Sequence, residues 1–139
     1  MTIIAAVSQD REGRLALVEG LDEARKLGED LVAINLGTAG LNLTGLDTDG
    51  VQVTIVDHPA RDKDTPADVI LGEIEAHQAT RLVIGVKRRT PVGKAILGSF
   101  SQQLLLHAPI PVLAVKIPED EVPSTAFDHL PASLHTING

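Results

Sequence analysis

The 139-residue chain has no cysteine, no tyrosine, no tryptophan and only two phenylalanines. The missing cysteine excludes disulfides, thiolate nucleophiles and thiolate-bound zinc or iron–sulfur centres. The scarcity of aromatics leaves Val, Ile, Leu and Ala to build the core, which suits a parallel sheet covered by helices, whose strands read as unbroken aliphatic runs. No apolar stretch approaches the ~18 residues of a membrane span. The opening Met1-Thr2-Ile3-Ile4 enters an apolar run without a basic segment before it, so it does not read as a signal peptide, and a cytoplasmic location is the expectation. Nor is there a broad basic field. The formal charge is −7, and Lys87-Arg88-Arg89 is the one local cluster of cations, which argues against a nucleic-acid binder.

What is present is a regular alternation of strand and helix signals. Ile3 to Val7 is an apolar run of strand length, followed by the polar turn Ser8-Gln9-Asp10. Leu15, Leu17, Val18, Leu21, Ala24 and Leu27 then recur at helical spacing until Gly28 stops the helix. Leu31 to Leu36 is a second strand. The segment 37–50 holds four glycines and reads as loop. Val51 to Val56 is a third strand. Thr65-Pro66-Ala67-Asp68 opens a helix, with Thr as N-cap and Pro at the first position, running to about His77. Leu82 to Ile84 is a fourth strand ending at Gly85. Ser99 is expected to cap a third helix with Leu104, Leu105 and Leu106 inward, and Val112 to Ile117 is a fifth strand. Residues 1–117 form one domain on this reading. Residues 118–139 carry four of the seven net negative charges and no Lys or Arg; they read as a disordered tail or as an arm packed on a partner.

In an open α/β sheet, ligands bind beyond the C-terminal ends of the strands at a topological switch point. Val7-Ser8-Gln9, Leu36-Gly37 and the chain from Gly85 onward converge there. Gly85 permits close backbone approach to a ligand. Gly98-Ser99 opens a helix, so a phosphate at Gly98, Ser99 and Phe100 would meet backbone donors and the Ser99 hydroxyl. Lys87, Arg88, Arg89 and Lys94 could neutralise it. Each feature also has an ordinary structural reading: Gly98-Ser99 as a plain helix start, and Lys87-Arg88-Arg89 as a solvated turn. Gly93-Lys94 is no P-loop, because Ala95 stands where Ser or Thr is needed. The five histidines are not paired at metal-ligand spacing.

The stretch from Leu82-Val83-Ile84-Gly85 through Gly98-Ser99 to His107-Ala108-Pro109-Ile110-Pro111 and Val115 resembles the C-terminal half of the universal stress protein family. ATP-binding members of that family carry glycine, two residues, glycine, nine residues, glycine and then serine or threonine. Gly85, Gly98 and Ser99 match in identity and spacing, whereas Arg88 replaces the second glycine. Arg88 either grips phosphate or fills the vacated space. Ser8 stands where ATP-binding members usually have Asp, with Asp10 two residues on. The helix usual between the second and third strands is reduced or missing in residues 37–50, leaving that face thinly covered or closed by a partner.

The resemblance implies a doubly wound, five-stranded parallel α/β sheet, order 3-2-1-4-5, with helices on both faces. It implies a homodimer through the Val112–Ile117 edge and an adenine nucleotide, ATP or AMP. Adenine would lie against Val7, Leu36 and Ile84, with the Leu36 backbone reading its edge. Ribose would approach Ser8 and Gly85, and phosphates would follow Lys87, Arg88, Gly98, Ser99 and Phe100. Asp57-His58, Asp62 and Asp64 mark where a Mg²⁺ ion could sit. Three functions remain open: a stress or signalling module that holds nucleotide with little or no turnover, a dimeric interaction protein of the same fold that binds none, and a slow ATP hydrolase using Asp10, Lys87 or Ser99.

Overall fold

A computed structural model describes residues 1–57, 65–86 and 98–116. Five parallel strands form one sheet in the order β3-β2-β1-β4-β5: β1 Thr2–Val7, β2 Asp30–Asn35, β3 Val53–Asp57, β4 Arg81–Val86 and β5 Val112–Lys116. Three helices connect them: α1 Arg11–Leu27, α2 Pro66–His77 and α3 Ser99–His107. The strand order and the helices on both faces are those the sequence leads one to expect.

Strand alternation divides the core into two layers. Beneath α1 lie Ile3, Ala5 and Val7 of β1, Leu31 and Ala33 of β2, Val83 of β4, and Ala16, Leu17, Leu21 and Ala24 of the helix. The opposite face packs Ile4, Ala6, Val32, Ile34, Leu82, Ile84 and Val86 against Ala67, Ile70 and Ile74 of α2 and Leu104 of α3. Among the described residues every buried hydrophobic is Ala, Val, Ile or Leu, as the shortage of aromatics requires.

Local chemistry sets the element ends. Asp10 caps α1 by accepting the Gly13 N–H at 2.9 Å, and Gly28 closes it in a left-handed turn at φ 68°. Thr65 caps α2 through Asp68 N–H at 3.1 Å, with Pro66 leading the helix. Two expectations shift at α3. Its N-cap is Gly98, and Ser99 is the first helical residue. Leu104 is fully buried, but Leu105 is 41% and Leu106 77% exposed. Successive helical residues turn about 100° apart, so three in a row cannot share one inward stripe.

The segment between β2 and β3 contains no helix, and it is not thin cover. Leu41, Leu43, Leu46 and Val51 pack onto the layer beneath α1. Two arginines of α1 fasten it by its carbonyls: Arg14 reaches Asn42 O at 2.9 Å and Arg25 bonds Asp47 O. Val51, expected to begin β3, instead closes a turn onto Thr48 O at 3.0 Å and buries its side chain, so the strand starts at Val53.

Candidate functional site

The order of the strands places the switch point between β1 and β4. There β1 feeds α1 on one face, while β4 is reached from α2 on the other. The exit ends of β1, β2 and β4 and the start of α3 make this edge of the molecule.

The turn after β1 is tightly organised. Ser8 Oγ donates to Asp10 Oδ1 at 2.6 Å, and the same oxygen accepts from Gly13 N–H at 2.9 Å. Asp10 is thus engaged in starting α1, and Ser8 is oriented by it. Gly13 is required here, because a Cβ would overlap the Ser8 backbone. The close approach expected at Gly85 is made by the protein's own chain: a Cβ on Gly85 would overlap the carbonyl of Glu12 in the first turn of α1. Glu12 is itself buried, at 6% exposure.

The turn after β2 spends its amides internally. Leu36 N–H donates to Val7 O at 2.9 Å. Gly37 N–H donates to Asn35 Oδ1 at 3.0 Å, and Thr38 N–H donates to Gln9 Oε1 at 3.0 Å. Asn35 is only 3% exposed and also gives its Nδ2 to Ala39 O and Asp57 Oδ1, each at 2.8 Å. Neither Asn35 nor the Gln9–Thr38 pair stood out in the sequence. The usable signal at Asn35 is a polar residue ending an otherwise aliphatic strand.

The sequence-derived site residues divide between the two faces. Leu36, Ile84 and Phe100 come together in the layer with α2 and α3. Val7 lies in the layer beneath α1, so the sheet separates it from Ile84. Ser8 is half-buried at the rim. Gly98 and Ser99 are exposed at the start of α3, where no side chain caps the helix and no acidic residue occupies the first turn. The amides there face outward with the positive end of the helix dipole. Lys87, Arg88, Arg89 and Lys94 lie outside the described residues, as do His58, Asp62, Asp64, Ile117 and residues 118–139. Among the described residues no three His, Asp or Glu side chains are grouped to hold a metal ion, and no helix is long and apolar enough to cross a membrane.

The comparisons with known proteins agree with this fold. The model of the universal stress protein family matches residues 51–116. A universal stress protein of Mycolicibacterium smegmatis is 33% identical over 125 residues, covering 82% of this chain and 96% of that one. Two solved structures share the fold. A universal stress protein from Archaeoglobus fulgidus in complex with dAMP matches with TM-score 0.57 at 20% identity, over 84% of this chain and 98% of that one. A universal stress protein family protein from Arabidopsis thaliana with AMP bound matches with TM-score 0.56 at 16% identity, over 90% of this chain and 97% of that one.

Proposed function

Since the chain belongs to the universal stress protein family, we propose that it is a stress or signalling module that binds an adenine nucleotide, AMP or ATP, with little or no turnover. The observation that carries this is the start of α3. A helix whose first turn has neither a capping side chain nor an acidic neighbour stands at the ligand-binding edge of the sheet, with the Ser99 hydroxyl beside it. The phosphate would take these amides, with Lys87 and Arg88 completing its charge. The base would rest on Leu36 and Phe100 next to Ile84, and the ribose near Ser8 and Gly85. The relatives that hold AMP and dAMP favour the same ligand class. Low turnover is supported at Asp10, whose Oδ1 already accepts two hydrogen bonds as the cap of α1, which leaves it a poor general base. The unit that performs this is residues 1–117, and it pairs with a second copy through Val112–Ile117, since among the described residues β5 is an edge strand. A Mg²⁺ ion would accompany ATP rather than bind on its own, and a cytoplasmic location suits such a ligand.

A second reading has its own support. With the Leu36, Gly37 and Thr38 amides all engaged, the first three residues after β2 offer a base no free amide. That is what an interaction module without nucleotide would show. Calorimetric titration with AMP and ATP separates the two. The nucleotide reading expects saturable heat and, at about 100-fold excess over Kd, a rise in Tm of about 8 °C. No heat and no shift at millimolar nucleotide would leave the interaction module. Gly98→Val localises the site. A Cβ at Gly98 meets none of the described residues within 4 Å, so these leave room for the side chain, while a phosphate at the amides does not. Retained affinity in that variant would place the ligand elsewhere.

A further inference from the structure

The geometry points to Gln9 as a latch on the base-reading turn, one that sets how tightly an adenine ring is held; this rests on the nucleotide reading above. An adenine ring offers an amino donor beside a ring-nitrogen acceptor. A backbone turn reads that pair with one carbonyl and one N–H. The turn after β2 is where the base would meet backbone, and its three successive amides are not equally available. Leu36 N–H is held by the Val7 carbonyl as an extension of the sheet ladder, at 2.9 Å. Gly37 N–H is held by Asn35, which is buried and tied on its other side to Ala39 and Asp57. Freeing either one breaks the sheet or a buried network, at the cost that attaches to unpaired buried groups.

Thr38 N–H differs, because its partner is an exposed side chain on the neighbouring turn, Gln9, at 3.0 Å. An N–H can only donate, so the Gln9 carboxamide must turn its oxygen inward and its Nε2 outward. Thr38 Oγ1 lies at 3.4 Å from the same oxygen. Gly37 makes the arrangement fit: a Cβ there would come within 2.8 Å of Gln9 Cβ and Oε1. The Gln9 oxygen therefore sits on the one of these three amides that a base could claim without disturbing the fold. An adenine ring nitrogen must displace it, and the Gln9–Thr38 bond is a competitor built into the chain.

Gln9→Ala removes the competitor at an exposed position. The affinity for AMP, measured by calorimetry, is expected to rise about three- to tenfold, the range set by one net hydrogen bond. Gln9→Glu keeps the accepting oxygen and is expected to show no gain. The Thr38 amide supplies an independent readout by hydrogen exchange. It should be slowed in the unaltered protein, fast in nucleotide-free Gln9→Ala, and slow again when that variant is saturated with AMP. Equal or weaker AMP affinity in Gln9→Ala overturns the latch, as does a Thr38 amide whose exchange AMP leaves unchanged. If both proteins bind AMP with the same constant, the latch alone is lost. If neither gives heat at millimolar AMP, the nucleotide reading falls and takes the latch with it.

Discussion

The two ends of the sheet are held together in different ways. At the entry end, side chains from distant parts of the chain bond one another across elements. Arg81 at the start of β4 reaches Glu23 of α1 at 2.7 Å, and Thr80 Oγ1 donates to Glu29 at 2.6 Å and to Thr2 O at 3.2 Å. At the exit end the bonds are mostly local: Ser8 to Asp10, Gly13 to Asp10, Gly37 to Asn35. Among the described residues, the side-chain bonds Asn35–Asp57 and Gln9–Thr38 reach between strands there, and α3 starts without a side-chain cap. The entry end uses its polar groups to join elements. The exit end arranges them in turns, leaving helix amides that a ligand can use. Side-chain bonding between distant elements and the proposed ligand edge thereby lie at opposite ends of the strands, as open α/β sheets allow.

Substitutions at each end test the contrast. The largest effect is expected at Gly85 and Gly13, where the exit end is tight: Gly85→Ala or Gly13→Ala forces α1 away from its backbone neighbours and should cost about 3 kcal/mol by denaturant unfolding. A loss below about 1 kcal/mol would mean that α1 is free to shift, and the packing argument for both glycines would be wrong. Next comes Asp10→Ala, which removes the cap of α1 and the partner of Ser8 and should cost about 1–2 kcal/mol. At the entry end, Arg81→Met should cost about 1 kcal/mol, because the pair with Glu23 is partly exposed and screened. AMP affinity in that variant should be unchanged, and a weaker affinity would show that the two ends are coupled. The smallest effect on stability belongs to Ser99→Ala, within about 0.5 kcal/mol for an exposed residue that caps nothing. Its AMP affinity should nonetheless drop a few-fold by calorimetry, and unchanged binding would remove the hydroxyl from the site.

Much of the fold was legible because its signals are local. The aliphatic runs of β1, β2 and β4, the apolar stripe of α1 and the Thr65-Pro66 start of α2 all follow from residues within one turn or one strand of each other. The candidate site was legible only in outline. Gly85 and Gly98-Ser99 were found by spacing, but no spacing shows that the atom facing Gly85 belongs to Glu12, since those residues meet only when α1 docks on β4. Val7 and Ile84 were assigned to one slot, and the sheet puts them on opposite faces. Gln9 looked like one polar turn residue among several until Thr38 came within reach of it.

By itself the sequence determined the fold class, the strand order through its resemblance, and the capped start of α2 at Thr65, since propensity, capping and apolar periodicity are properties of neighbouring residues. Tertiary structure alone decided how residues 37–50 close the face beneath α1, which of Leu104, Leu105 and Leu106 turns inward, and which amides of the turn after β2 are already taken. Those outcomes depend on distances between segments far apart in the chain, and such distances exist only once the sheet has assembled and the helices have packed on it.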